Sequence, residues 1–260
     1  MSTNNDTISK TLIVTISLCV VCAVLVSAAA VGLKPMQEAN KALDMKSNIL
    51  AAAQIEIQGQ DINQVFDNQI TARVLDLETN TWADDVDPLK LDERKAAKDP
   101  AAAITLSGDA DQAGIKRHSR YKTLYMVKDG DKLQKLILPI HGKGLWSTLY
   151  GFMALEGDLN TIVGLGFYEH AETPGLGGEV DNPSWKALWP GKEVYADNPL
   201  DPAIGLIKGK VEQGTANAEH KIDGLAGATL TSNGVTNLVQ FWLGENGYAP
   251  FLAKLRSGEV

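Results

Sequence analysis

The feature that most constrains this chain is an uninterrupted apolar stretch near its N-terminus. Residues 11–33 are 23 residues without a charged side chain, and Lys10 and Lys34 flank them. At a rise of about 1.5 Å per residue, a helix of this length exceeds the roughly 30 Å hydrocarbon core of a bilayer. The alternative is a cleaved signal peptide, but the apolar region of a signal peptide has only about 7–15 residues. The stretch therefore predicts a retained transmembrane helix, preceded by a short tail over residues 1–10.

Composition excludes several functional classes. The formal net charge is −8, so a nucleic acid is not expected as a partner. Both cysteines, Cys19 and Cys22, lie inside the apolar stretch. The rest of the chain therefore forms neither a disulfide nor a cysteine-ligated iron–sulfur cluster. The four histidines are scattered without the spacing of zinc ligands, so no metal site is predicted.

Beyond the apolar stretch, the pattern changes from helical spacing to strand spacing near residue 121. Residues 34–120 are predicted to be a connecting region of helix and surface loop, with helical segments over 35–57 and 61–77 and a loop with one helical turn over 78–116. Residues 121–260 are predicted to form one mixed domain. Its strands are expected at 124–127, 133–140, 145–155, 161–168 and 204–211, and its helices at 184–188, 232–243 and 250–255.

Strands grouped in the middle of the domain, with helices at its ends, favour an α+β fold. Asp129-Gly130 between two apolar runs predicts an antiparallel hairpin, so we expect a central, largely antiparallel sheet. No Gly-x-Gly-x-x-Gly lies between a strand and a helix, so a Rossmann dinucleotide site is not expected.

The strongest chemical motif is the run Asp223-Gly-Leu-Ala-Gly-Ala-Thr-Leu-Thr-Ser232. Its small residues let a ligand approach the backbone, and three hydroxyl side chains stand just before a predicted helix. A helix N-terminus has free N–H groups and the positive end of the helix dipole, which favour phosphate. A threonine hydroxyl held there can bind a phosphate or be esterified by one. The alternative is an ordinary helix cap made by serine or threonine.

A second motif, His170-Ala-Glu-Thr-Pro-Gly-Leu-Gly-Gly-Glu179, directly follows a predicted strand. Glycine and proline make a tight loop on which a flat ligand can lie, and Glu172 and Thr173 offer polar groups. The alternative is a connecting loop whose glycines serve only turn geometry.

These two motifs, in this order after an N-terminal anchor, resemble the C-subunit family of sodium-translocating NADH:quinone reductases. The Asp223 run looks like that family's flavinylation motif, in which the final threonine carries FMN through a phosphoester. The resemblance implies that Thr229 is the covalent attachment site. It also implies that the following residues line the cofactor: Asp223, Gly224, Gly227, Ala228, Leu230, Thr231 and Ser232 from the run, and Glu172, Thr173, Gly175, Leu176 and Gly177 from the loop.

Two further cofactor contacts are weaker predictions with structural alternatives. Trp146, in Gly-Lys-Gly-Leu-Trp, can border the flavin or be an ordinary core aromatic. Lys208 can neutralise the FMN phosphate as a point charge or be a solvated lysine. For Asp223 the alternatives are a role in flavin transfer and the capping of a turn.

The resemblance also implies a function. The chain would relay electrons from an intramembrane iron–sulfur centre to a flavin on a neighbouring subunit, within a sodium-pumping NADH:ubiquinone oxidoreductase, and would not be catalytic alone. The implied partners are the other subunits, a flavin transferase during maturation, and membrane lipid. The alternatives are the G subunit of the related RNF complex, an anchored binding or scaffold module without flavin, and a serine or threonine hydrolase.

The sequence supports two opposite predictions for the side of the membrane on which the C-terminal domain lies. The resemblance implies a single-pass protein of the bacterial inner membrane with its C-terminal domain on the periplasmic side. A count of lysines favours a cytoplasmic domain, because Lys34, Lys41 and Lys46 follow the apolar stretch whereas Lys10 precedes it. We follow the resemblance, because so few lysines are a weak signal.

Overall fold

The structure, a computed structural model, describes residues 7–260 and begins with a 45-residue helix, α1 (Ile8–Ala52). Among these residues it is the one helix long and apolar enough to cross a membrane. The helix continues through Pro35, although a proline inside a helix removes one backbone hydrogen bond. The predicted helix over 35–57 is therefore the end of the same helix and stops at Ala52. Residues 1–6 of the predicted tail lie outside the described residues.

The chain divides into two compact units, of which the first ends at Asp44 and the second comprises Met45–Val260. The remaining helices are α2 (Ile62–Gln69), α3 (Glu93–Ala96), α4 (Pro183–Lys186), α5 (Thr229–Leu243) and α6 (Ala249–Ser257). The strands are β1 (Thr71–Asp76), β2 (Thr81–Trp82), β3 (Ala103–Thr105), β4 (Arg117–Ser119), β5 (Tyr121–Asp129), β6 (Lys132–Lys143), β7 (Thr148–Glu156), β8 (Ile162–Glu169), β9 (Gly205–Ile207) and β10 (Lys221–Asp223).

The second unit is built on a six-stranded sheet in the order β2-β1-β5-β6-β7-β8. Every neighbouring pair in this sheet is antiparallel, and the hairpin predicted at Asp129-Gly130 joins β5 to β6. Two small sheets accompany it, an antiparallel β3–β4 pair and a parallel β9–β10 pair. The predicted α+β class with a central antiparallel sheet is confirmed.

Both faces of the sheet are covered. Successive side chains of a strand point to opposite faces, so one strand contributes to two cores. Leu136 and Leu138 of β6 pack into the larger core with α5 and α6, whereas Ile137 between them packs into a second core. That second core contains the end of α1, at Ile49 and Leu50, together with residues of α2.

Several predicted elements have different bounds in the structure; for example, the helix predicted over 232–243 begins at Thr229. The helical segment predicted over 61–77 is a helix only to Gln69, and its second half is β1, which pairs with β5. The spacing of apolar residues there also suits a strand, and long-range pairing decides between the two. The strand predicted over 204–211 ends at Ile207, and the strand predicted over 145–155 begins at Thr148.

The boundary predicted at residue 121 does not separate two units. The compact unit begins at Met45, and β1 and β2 belong to its main sheet. The segment over 78–116 contains the short helix α3, as predicted, together with β2 and β3. Part of the predicted connecting region is therefore part of the folded domain.

One buried charge pair ties α3 to the sheet. The side chain of Lys122, on β5, is 2% exposed and donates to the Glu93 carboxylate at 2.7 Å. Glu93 also accepts the backbone N–H of Thr123 at 2.9 Å, and the Lys122 ammonium lies 4.6 Å from the centre of the Trp242 ring. A lysine buried this deeply needs such a counter-charge, because desolvation of an unpaired ammonium is costly.

Candidate functional site

The motif over residues 223–232 forms the entry into α5. Gly227 has a positive φ of 71°, and this conformation suits glycine at the turn that precedes the helix. Ala228 is the N-cap residue, and no side chain makes a capping hydrogen bond to the first turn. Thr229 is the first helical residue, so the alternative in which it caps the helix is wrong.

The three hydroxyls after Ala228 have different environments. Thr231 is 1% exposed and donates to Glu172 Oε2 at 2.7 Å. Ser232 is buried, and its Oγ accepts the backbone N–H of Leu225 at 3.0 Å. Thr229 is exposed, and its hydroxyl makes no hydrogen bond within residues 7–260. Of the three, the Thr229 hydroxyl is the one available to a ligand.

The backbone of the first turn of α5 is also open. Within the described part of the chain, the amide groups of Thr229, Leu230 and Thr231 donate no hydrogen bond, and the first amide of the regular ladder is that of Ser232, which donates to Ala228. Together with the dipole of a 15-residue helix, these amides form a site that favours an anion.

The second predicted motif lies against this turn. It follows β8, and its Glu172 is a buried carboxylate, 5% exposed. Burial alone would raise the pKa of Glu172, but the hydrogen bonds from Thr231 and from the amides of Trp146, Ser147 and Leu145 outweigh it and hold the pKa below its ordinary value. The carboxylate is therefore charged at neutral pH.

Close packing explains the glycine at position 177. A Cβ on Gly177 would lie 2.5 Å from Thr231 Oγ1 and 2.8 Å from Glu172 Oε2, so no larger residue fits without displacing them. Backbone hydrogen bonds within the loop also stabilise it, because the carbonyl of Thr173 accepts the amides of Leu176 and Gly178 at 3.1 and 2.9 Å. Thr173 and Gly175 lie at the exposed surface of this loop.

Exposed apolar side chains concentrate around these segments. In residues 45–260, seven large apolar side chains are exposed, and four of them belong to this site: Leu145, Trp146, Leu176 and Leu230. Trp146 is 68% exposed, so the alternative in which it is a core aromatic is wrong. Large apolar groups that cluster on a surface usually mark a binding site. Here they are suited to a flat, largely apolar ligand.

The remaining predicted residues lie at the other end of the motif. The Asp223 carboxylate accepts the amide of Val211 at 2.8 Å, so Asp223 caps a turn, as its structural alternative proposed. The amide of Gly224 donates to Gly209 at 2.9 Å. Lys208 stands exposed in the same turn, next to the Asp-Gly end of the motif, and no hydrogen bond joins its side chain to Thr229.

Comparison with known proteins agrees with this geometry. The sequence model of the FMN-binding domain family matches residues 144–244, which contain all three segments of the site. The chain is 54% identical to the C subunit of the Na⁺-translocating NADH-quinone reductase of Pseudomonas aeruginosa, with 99% of each chain covered. The chain belongs to the C-subunit family of the Na⁺-translocating NADH-quinone reductases.

Other members of the C-subunit family support the assignment. The Vibrio alginolyticus protein is 48% identical over the whole of both chains. The crystal structure of Shewanella oneidensis NqrC superposes with a TM-score of 0.75 at 36% identity, covering 82% of this chain and 96% of that one. The RNF and hydrolase alternatives are therefore not supported.

Proposed function

We propose that this chain is the electron-transferring C subunit of a membrane-bound, sodium-pumping NADH:quinone oxidoreductase and that it carries FMN as a phosphoester on Thr229. The observation that carries the proposal is the free, exposed hydroxyl of Thr229 at an uncapped helix N-terminus. Its position in a domain that matches the FMN-binding family supports the identity of the cofactor.

Different residues of the site would contact different parts of FMN. The amides of Thr229, Leu230 and Thr231 and the dipole of α5 would stabilise the phosphate charge. Trp146, Leu176 and Leu230 would offer apolar surface to the ring system. The ester bond keeps a cofactor in place where an open site binds it weakly. When bound, FMN supplies chemistry that no side chain offers, because it accepts and releases electrons.

Membership of the family supports a proposal for the place of the chain in the complex. We propose that electrons arrive from an intramembrane iron–sulfur centre and leave to a flavin on a neighbouring subunit. The proposed partners are the other subunits of the reductase, a flavin transferase during maturation, and the lipid around α1. The helix α1 fits a protein of the bacterial inner membrane.

We place the C-terminal domain on the periplasmic side, as the family resemblance implies. Protease added to intact spheroplasts should then remove an epitope fused after Val260. Protection of that epitope until the membrane is lysed would place the domain in the cytoplasm, as the count of lysines favours.

The function is tested in membranes from which this chain has been deleted. We expect sodium-stimulated NADH:quinone reductase activity to be lost in the deletion strain and restored by the full chain, because an electron relay cannot be bypassed when its centre is absent. The control is NADH oxidation with an artificial electron acceptor, which does not need the relay. Full sodium-stimulated quinone reduction without the chain would contradict the proposal.

A further inference from the structure

The Glu172 carboxylate lies where three segments of the site meet, namely residues 144–147, residues 172–177 and the first turn of α5. We propose that Glu172 is a positioning residue that assembles these segments into the flavin site before FMN is attached. The proposal rests on the proposed function, because it takes the site at Thr229 as the flavin site.

Both oxygens of the carboxylate are already engaged by protein donors. Oε1 accepts the amides of Trp146 and Ser147 at 2.9 and 3.1 Å and the Ser147 hydroxyl at 3.3 Å. Oε2 accepts the amide of Leu145 at 3.2 Å and the Thr231 hydroxyl at 2.7 Å. A carboxylate has about four lone-pair positions, so five donors leave none for a cofactor. The predicted role of Glu172 as a direct polar contact to the flavin is therefore replaced by an indirect one.

Three consecutive backbone amides that point at one anion form an anion-binding concavity. In this protein the anion is a side chain of the chain itself. The hydrogen bonds are charge-assisted, which makes each of them stronger than a bond between neutral groups. If the charge is lost, these partly buried donors are left without a suitable acceptor, and the present arrangement of the segments becomes less stable.

The surrounding contacts fix Glu172 itself. The Ser147 hydroxyl accepts the amide of Ala171 at 2.8 Å. The Ser147 side chain therefore links the segment over 144–147 to the backbone next to Glu172. The amide of Glu172 donates to His170 Nδ1 at 3.2 Å, and His170 Nε2 lies 2.7 Å from Asp181 Oδ2. Backbone and side chain of Glu172 are thus both held.

The apolar side chains of the site depend on this arrangement. Leu145 and Trp146 are exposed and lie in the turn between β6 and β7, which the amide of Gly144 closes by donating to Ser147 O at 2.8 Å. Their amides bond to Glu172, and Leu230 precedes the Thr231 that bonds to the same carboxylate. One buried carboxylate therefore joins the turn that carries Leu145 and Trp146 to the helix start that carries Leu230.

The first test uses amide hydrogen exchange on the full-length, flavin-free chain in detergent, produced without a flavin transferase. Glu172→Gln replaces an acceptor oxygen with a donor amide that faces N–H groups. We expect exchange of the amides of residues 145–147 to become faster by on the order of tenfold. In Glu172→Asp, the exchange rate of these amides should lie between the rates in the wild-type chain and in Glu172→Gln. The matched control is Glu179→Gln, because Glu179 lies in the same loop and bonds to Asn182 and not to Glu172.

A second readout separates positioning from a general loss of stability. In flavinylated protein we expect Glu172→Gln to shift the flavin midpoint potential to a more positive value, because a negative charge bonded to Thr231, two residues from the proposed attachment site, would disfavour the added electron. Glu179→Gln should leave the potential unchanged. If Glu172→Gln does not fold, Ser147→Ala and Thr231→Val each remove one donor, and both should accelerate exchange at residues 145–147.

The outcomes are separable from those for the proposed function. Unchanged exchange at residues 145–147 in folded Glu172→Gln protein, or in both single-donor variants, would overturn the positioning role even if Thr229 carries FMN. Conversely, a wild-type chain that never acquires FMN would contradict the proposed function. In that case the exchange measurement on flavin-free protein still decides the role of Glu172.

Discussion

Thr229→Ala will carry no covalent flavin, whereas the parent chain, coexpressed with a flavin transferase, will gain the mass of one FMN less one water. The reason is that Thr229 has the one exposed and unbonded hydroxyl among the three that begin α5. The measurement is the intact mass of the purified chain, with flavin fluorescence of the same bands on a denaturing gel.

Two control variants make this result specific. Thr229→Ser keeps a hydroxyl at the helix start and should retain some flavin. Thr236→Ala removes a hydroxyl from the same helix, where its oxygen accepts the amide of Leu206 and is remote from the first turn, and should leave the flavin attached. A fluorescent Thr229→Ala band would show that the ester is elsewhere. A parent chain that stays unmodified would favour the anchored binding module instead.

Glu93→Gln is expected to lower the free energy of unfolding by about 3–5 kcal/mol, because it leaves the Lys122 ammonium buried without its counter-charge. Lys122→Met should cost much less, since it removes the charge that needs a partner and fills similar space beside Trp242. Urea denaturation of the full chain, followed by tryptophan fluorescence, measures both variants.

The double variant tests whether the two effects share one cause. Glu93→Gln combined with Lys122→Met should be more stable than Glu93→Gln alone, because the unpaired charge is gone. If Lys122→Met proves as costly as Glu93→Gln, or if the two losses simply add, the ion pair does not govern the docking of α3 on the sheet.

Much of the fold could be predicted from the sequence where the signal is local. The turn at Asp129-Gly130, the helix predicted over 232–243 and the apolar length of residues 11–33 depend on neighbouring residues, and the structure contains all three, although α5 already begins at Thr229. The segment over 70–77 differs, because its place in the sheet is decided by pairing with β5, about 50 residues later.

In the site, too, local features could be predicted from the sequence and long-range contacts could not. The pattern of small and hydroxyl residues marks the run over 223–232 and the loop around Glu172 as candidates, and the family resemblance then singles out Thr229. What Glu172 contacts could not be predicted, because its donors lie 25 to 59 residues away along the chain. Ser147 is absent from the predicted site altogether. Its only sequence signal is a hydroxyl beside the exposed Trp146, and such a pattern is too common to be specific.

The start of α5 has a consequence for how far a bound cofactor can travel. Thr229 is the first residue of a helix whose following turns are buried in the main core, down to Trp242. A flavin carried there would not swing on a flexible arm, as a group on a long side chain or a mobile loop does. Its distance from other redox centres would be set by where the whole folded domain stands, so the rate of electron transfer would respond to movement of the domain and hardly at all to the tether.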